Sequence, residues 1–211
     1  RSTDCGISWS VIENEASLEL HTSSDDVSVV YGNDDWDGIA RSDDFGLTWR
    51  PVFEGSYNEL AVDPSDVNHV YVASYEAAEG QGLSLSILES RDGGGSWRSL
   101  DTASISEHHV RTLIATPGGP GTLFAGTESG AWQYLSSEDR WVQVFARDTP
   151  VLDIIQDPKH EQILYLCTSD GVFGSDDAGQ TWADLGPPFD CYHIALAKSG
   201  KILLVATEHE L

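Results

Sequence analysis

Short β-prone runs and polar turns alternate along the whole chain, and no stretch carries the apolar spacing of an amphipathic helix. Apolar stretches at Ser17–His21, Glu59–Val62, Val110–Ala115, Val151–Ile155 and Tyr192–Ala197 each open a cycle. Turns rich in Asp, Pro, Gly or Ser follow, as at Asp63–Asp66, Thr116–Gly119 and Asp157–Lys159. A second β-prone run comes next: Val27–Tyr31, His69–Ala73, Thr122–Gly126, Gln162–Cys167 and Lys201–Ala206. A third (Gly38–Arg41, Leu83–Leu88, Gly130–Tyr134, Gly171–Gly174) leads into a polar box, whose closing tryptophan begins a fourth strand.

That box reads Ser-x-Asp-x-Gly-x-Thr-Trp in the copy with Ser42, Asp44, Gly46 and Trp49. Ser90, Asp92, Gly94 and Trp97 form a second copy, and Ser175, Asp177, Gly179 and Trp182 a third. Asp4, Gly6 and Trp9 mark another at the N-terminus. A decayed copy ends at Trp141, with Tyr134, Ser136 and Glu138 where Ser, Asp and Gly stand elsewhere. The tryptophans at 9, 49, 97, 141 and 182 are 40, 48, 44 and 41 residues apart. A fixed period of this size marks a propeller or solenoid, and four antiparallel strands per period read as propeller blades. The fold expected is therefore all-β: one five-bladed β-propeller over residues 1–211. Its blades fall at about 17–54, 57–101, 109–146, 150–186, and 191–211 closed with 1–13. The run from Trp182 off the end and on to Trp9 is 38 residues, close to one period, which supports closure by the two termini. A piece of a larger propeller is the alternative. Tyr75–Gly82 reads as an insertion that accounts for the spacing of 48.

In physical terms the box is a turn carrying its own hydrogen-bond partners. The carboxylates of Asp4, Asp44, Asp92 and Asp177 can accept turn N–H bonds, and Gly6, Gly46, Gly94 and Gly179 supply left-handed backbone. These residues resemble the Asp-box, or BNR, repeats of sialidases, sortilin-type receptors, xyloglucanases and photosystem II assembly factors. In those families the boxes lie on the rim away from the binding face, so the resemblance implies that these aspartates are structural.

Charge removes whole classes of partner. Thirty-five acidic residues against eleven basic ones give a formal charge of −24, which repels phosphate backbones and anionic lipid surfaces. Nucleic acid and membrane partners are not expected. Scarce lysine and abundant acid resemble the composition of haloarchaeal proteins, with an ordinary acidic secreted domain as the alternative. The chain opens inside a repeat without Met, so a longer precursor is expected; the compartment stays open between soluble, secreted and cell-surface. Cys5, Cys167 and Cys191 make an odd count without a CxxC pair, which argues against a disulfide framework or structural zinc. Cys167 reads as a small core residue, and a Cys5–Cys191 bridge is left open.

The face opposite the boxes is the default site. Its loops gather carboxylates and aromatic rings: Trp36, Tyr57, Tyr75, Glu128, Asp148, Asp170, Asp190 and Tyr192. Such a set suits sugars, cations or basic peptides; a solvated acidic face is the competing reading. Asn33, Asp35 and Asp37 with Gly38 partly fit a calcium loop, although the twelfth position, Asp44, belongs to a box. No cofactor is expected, calcium being the exception kept open. His108 and His109 are adjacent and cannot chelate one ion from an extended chain. Sialidase activity is not expected, because most of the arginines adjoin boxes and no Arg-Ile-Pro motif precedes them. A glycoside hydrolase needs a carboxylate pair across a cleft, and the sequence singles none out. The reading is a monomeric, non-catalytic propeller that binds a protein, peptide or glycan, with an Asp-box-type glycoside hydrolase as the alternative.

Overall fold

The computed structural model describes residues 2, 6–10, 20–34, 38–78, 82–105, 109–117, 122–186, 189–197 and 203–207. Among them there is no helix, and five antiparallel sheets follow one another in chain order, each laid out in sequence order. The first holds β1 (Leu20–Thr22), β2 (Val30–Asp34), β3 (Gly38–Ser42) and β4 (Arg50–Glu54). The second holds β5 (Tyr57–Asp63), β6 (Asp66–Ala78), β7 (Gly82–Ser90) and β8 (Arg98–Leu100). β9 (Val110–Thr116), β10 (Thr122–Thr127), β11 (Gly130–Leu135) and β12 (Arg140–Ala146) make the third. β13 (Val151–Asp157), β14 (His160–Thr168), β15 (Gly171–Ser175) and β16 (Ala183–Asp184) make the fourth. The fifth is a pair among the described residues, β17 (His193–Leu196) with β18 (Leu203–Ala206).

The first strands of successive sheets touch in the order β1, β5, β9, β13, β17, so they gather at the centre and the fourth strands lie outermost. This is a β-propeller. Its core is layered between the sheets, because each blade must bury an apolar face on both sides. Val29, Tyr31 and Ile39 of the first sheet pack on Leu60, Val70 and Val72 of the second. Tyr71, Ala73 and Ile87 of the second face Leu113, Leu123 and Ala125 of the third. Phe124 and Phe145 then meet Ile154, Leu166 and Phe173 of the fourth.

The inserted stretch Tyr75–Gly82 lengthens a hairpin, in which β6 and β7 pair Tyr75 with Leu85, Ala77 with Leu83 and Ala78 with Gly82. This pairing satisfies the backbone of those residues. The reading of Cys167 as a small core residue outside any disulfide is corrected. Cys167 is bonded to Cys191, with Cα atoms 5.2 Å apart, inside the ordinary range for a disulfide. The bond ties the last turn of β14 to the approach of β17, and both residues are buried among Val172, Ile194 and their neighbours. The expected closing of the fifth blade by 1–13 falls largely outside the described residues. Gly6–Trp9 are described, and Trp9 stands 76% exposed.

Candidate functional site

The box turns set the orientation of the propeller. Ser42 Oγ donates to Asp44 Oδ1 at 2.8 Å and accepts the Gly46 N–H at 2.8 Å. Asp44 also accepts from Leu47 N, Thr48 N and Thr48 Oγ1 at 2.7–3.0 Å. Ser90 and Asp92, and Ser175 and Asp177, repeat the arrangement with Gly94, Ser96, Gly179 and Thr181. The threonine or serine at the far end donates both its N–H and its hydroxyl to the carboxylate, and these bonds hold Asp44, Asp92 and Asp177 down at about 2. At Gly94 the backbone has φ +87, and a Cβ would sit 2.5 Å from Val52 Cβ of the first sheet. Each of these aspartates is saturated by its own turn.

At the opposite ends of the strands, a cleft of about 350 Å³ opens between the second and third sheets. Asn58 and Glu59 from β5, His109, Val110 and Arg111 at β9, and Glu128 line it. Glu128 is held by the β10–β11 turn. Thr127 Oγ1 donates to Gly130 O and accepts from Ser129 N, while Gln143 Nε2 donates to Ser129 O. Gly130 has φ +129, and a Cβ there would meet the Phe145 carbonyl oxygen at 1.9 Å, so no other residue fits this turn. Arg111 Nε donates to Glu128 Oε1 at 2.8 Å, and both side chains stay about half exposed. Tyr75 of β6 stands behind two of the cleft's lining residues, Val110 and His109. Its hydroxyl accepts the Val110 N–H, and its ring lies 5.3 Å from that of His109. Burial raises the Tyr75 hydroxyl above its ordinary range, and the Glu59 carboxylate adds to the rise.

Of the residues singled out from the sequence, Glu128 lines this cleft and Tyr75 supports its lining from behind. Tyr57 instead turns into the core between the first two sheets, against Val72 and its neighbours. Asp148, Asp170 and Asp190 are exposed on the loops of the fourth and fifth blades, and the Tyr192 N–H donates to Ala206 O. Trp36, Asp35 and Asp37 lie outside the described residues, as does the side chain of Asn33, so the calcium loop does too. Among the described residues no group of three or more His, Cys, Asp or Glu is placed to hold a metal ion. The sequence alone does not bring Asn58, Glu59, His109 and Arg111 together. They come from the starts of two inner strands, about fifty residues apart in the chain, and only sheet packing joins them.

Two other polar clusters have different characters. His69 is buried between Asp63 Oδ2 (3.2 Å) and Glu89 Oε1 (2.8 Å), and Glu89 also accepts from Arg91 and Arg98. It resembles a catalytic relay, but it is enclosed in the box half of the second blade, and the two ring nitrogens of His69 are taken by carboxylates; the nearby Ser65 hydroxyl donates to Asp63 rather than to the imidazole. Asp153 is raised by burial, and it accepts the Ile194 N–H at 3.0 Å, fastening β13 to β17. Among the described residues no helix is long and apolar enough to cross a membrane.

No protein-family model matches the chain, and neither does any curated protein. Solved structures do. A GH74 enzyme from Niastella koreensis superposes with a TM-score of 0.71 at 22% identity, over 93% of this chain and 34% of that one. YCF48 bound to a D1 peptide gives 0.66 at 20%, over 92% and 64%. The Cps50 (Swd1) propeller domain of Myceliophthora thermophila gives 0.67 at 12%, over 93% and 64%. At these identities the likeness is one of fold. The chain spans about a third of the GH74 enzyme and under two thirds of the other two.

Proposed function

We propose that this chain is a non-catalytic binding propeller that holds a peptide segment of a protein partner in the cleft between its second and third blades. The observation that carries the reading is the cleft itself. It joins an exposed Arg111–Glu128 pair, the Glu59 carboxylate and the His109 ring, which Tyr75 backs, on the face away from the boxes. Groups of both signs at one rim can take an extended peptide's charged side chains, and the His109 ring offers a flat surface for contact. The net charge of −24 favours a basic segment and speeds its approach at low salt. YCF48, a propeller of like fold, was solved with a peptide bound, which supports the same use of the fold here. The Ser-x-Asp-x-Gly turns are read as Asp-boxes that fasten each blade. Their aspartates already have their hydrogen-bond partners within the turn.

A glycoside hydrolase is the second reading, favoured by the likeness to GH74 enzymes and by the presence of Glu59 and Glu128 in one cleft. Fluorescence anisotropy with labelled lysine- and arginine-rich peptides, acidic peptides and xyloglucan oligosaccharides separates the two. The proposal expects saturable binding of basic peptides that weakens at least tenfold in Glu59→Gln and Glu128→Gln. Hydrolysis of chromogenic glycosides that either substitution abolishes would replace binding with catalysis.

A further inference from the structure

Thirty-five acidic residues share this chain with eleven basic ones, so a guanidinium readily finds a carboxylate. Arg41, Arg50, Arg91, Arg98, Arg111 and Arg140 each have an aspartate or glutamate oxygen at 2.5–3.6 Å. Among the described arginines Arg147 is the exception. Neither Asp148, beside it in the chain, nor Asp170, on the turn of the fourth blade, pairs with it, and none of its N–H groups donates to a described residue. Its guanidinium lies instead over two rings, the central carbon 4.6 Å from the centre of Phe173 and 5.5 Å from that of Phe145. Those rings stand 4.9 Å apart and are buried, which makes them a fixed platform, while Arg147 itself is exposed.

The repeat shows that blade packing does not require this arginine. Phe53 pairs with Ile39 as Phe145 pairs with Ala131, and each ring meets the box tryptophan of the following blade, Trp97 at 5.6 Å and Trp182 at 6.1 Å. Two residues beyond Phe53 stands Gly55, and two beyond Phe145 stands Arg147. The same contact between blades is thus built with no side chain in that place. Nor is the exposure owed to a missing neighbour, since the third and fourth sheets each hold four strands. Arg147 opens the link from β12 to β13, one residue past the pairing of Gly130 with Ala146. That puts it on the face away from the boxes, although it lines no part of the peptide cleft.

We propose that Arg147 on its Phe145–Phe173 platform is a carboxylate-binding subsite, which takes an acidic side chain or the free C-terminus of a peptide. Stacking on the rings occupies one flat side of the guanidinium and leaves its N–H edge open. That planar edge matches the two oxygens of a carboxylate, which an ammonium group cannot do. The rings hold the plane in advance, so less freedom is lost when the anion arrives. The net charge of −24 does not close the site, because exposed charges farther away than a Debye length of ~8 Å are largely screened at physiological salt. The subsite does not rest on the peptide cleft. It adds a place for an acidic group to a face whose overall charge favours basic ones.

The test is a nuclear magnetic resonance titration of the whole ¹⁵N-labelled chain at constant ionic strength, read at the arginine Nε–H signals and the backbone amides of Phe145 and Phe173. Three peptides serve as probes. Acetyl-Gly-Gly-Glu-Gly-Gly-amide offers only a side-chain carboxylate, acetyl-Gly-Gly-Gly-Gly with a free C-terminus offers only the terminal one, and the Gln analogue of the first offers none. The expected result is a saturable shift at Arg147 with one or both carboxylate peptides and none with the Gln peptide; which of the two acts identifies the source of the carboxylate. Arg147→Met, which keeps the stem over the rings, should weaken binding about tenfold or more. Arg147→Lys should weaken it about threefold or more, because it keeps the charge and loses the fork. Circular dichroism checks that both variants fold, and the Lys variant carries the comparison if the Met variant does not. No shift with either carboxylate overturns the proposal. So do equal shifts with the Gln peptide, or shifts at Phe145 and Phe173 that persist undiminished in the variants.

Discussion

Replacing Glu89 with Gln removes one charge from a buried polar network. The Glu89 side chain is 3% exposed and accepts from His69 Nε2 at 2.8 Å, Arg91 Nη2 at 2.6 Å and Arg98 Nη2 at 2.7 Å. The two arginines are more than half exposed, so water takes over their lost bonds at small cost. His69 gets no such help from water, because its ring is 5% exposed; the amide leaves it a neutral acceptor, and only Asp63 remains beside it as a carboxylate. One charge-assisted bond to a buried imidazole is worth about 1.5–3 kcal/mol. The substitution should therefore cost about 2–3 kcal/mol at pH 6, or roughly 4–12 °C in Tm for a chain of this size. A pH signature distinguishes this from a packing defect. Burial alone would lower His69, but the Asp63 and Glu89 hydrogen bonds outweigh it and leave the imidazole raised. Stability from protonated His69 is thus fully present below the ordinary histidine value of about 6.5, and is lost as pH rises through the raised one. Burial would likewise raise Asp63 and Glu89, yet their partners hold both low, so their contribution is lost only as pH falls through those lowered values. Urea unfolding at pH 5, 6.5 and 8 in constant salt reads both effects. The parent should lose stability between pH 6.5 and 8, and Glu89→Gln should flatten that slope. A change under 0.5 kcal/mol at pH 6, or an unchanged slope, would refute the reasoning; 0.5 kcal/mol is the scatter of ordinary surface substitutions.

Three further outcomes are expected. Asp44→Ala should lower the melting temperature and leave peptide affinity unchanged; lost affinity at an unchanged melting temperature would move the boxes into the binding site. Because Asp44, Asp92 and Asp177 sit at about 2, their turns should keep their contribution down to mild acid and lose it only as pH falls through that value, measured by near-ultraviolet dichroism. Reducing the Cys167–Cys191 bond should destabilise the attachment of the fifth blade by about 2–4 kcal/mol, read as faster hydrogen exchange in β17 and β18 with the first three blades unchanged.

The sequence made the repeat legible because one physical requirement recurs: a box turn needs Ser, Asp and Gly at fixed offsets, and the offsets survive in print. The strands beside it were legible for the same reason, since Val110–Thr116 and Val151–Asp157 are apolar runs bounded by turns. What stayed hidden depends on contacts between blades. Cys167 and Cys191 are unremarkable until the fifth sheet lies on the fourth. Glu59 and Arg111 read as strand residues until two inner strands place them at one rim. His69 sits in an apolar run, and only the fold reveals that Asp63 and Glu89 flank it.

The decayed third box shows how far the turn and the blade are separable. In the intact copies the third strand ends at the box serine, and the outer strand is shorter than the seven residues of β12: Arg50–Glu54 in β4, Arg98–Leu100 in β8 and Ala183–Asp184 in β16. At the decayed copy, pairing runs on through Tyr134 with Trp141 and Leu135 with Arg140, and β12 reaches Arg140–Ala146. A four-residue turn, Ser136 to Asp139, replaces the box, with Glu138 N donating to Leu135 O and Asp139 at φ +47. The bonds the missing aspartate would have accepted are thus no longer needed, because the ladder itself satisfies the backbone. Tyr134, standing where serine should be, donates its hydroxyl to Asp139, and Arg98 of the second blade approaches the same carboxylate at 3.6 Å. The same Arg98 holds Glu89. Losing a box has therefore coupled the third blade to the buried His69 network of the second, so Glu89→Gln should disturb the Tyr134 turn as well. Hydrogen exchange at Glu138, slower in the parent than in the variant, would register that coupling, and equal exchange would confine the network to the second blade.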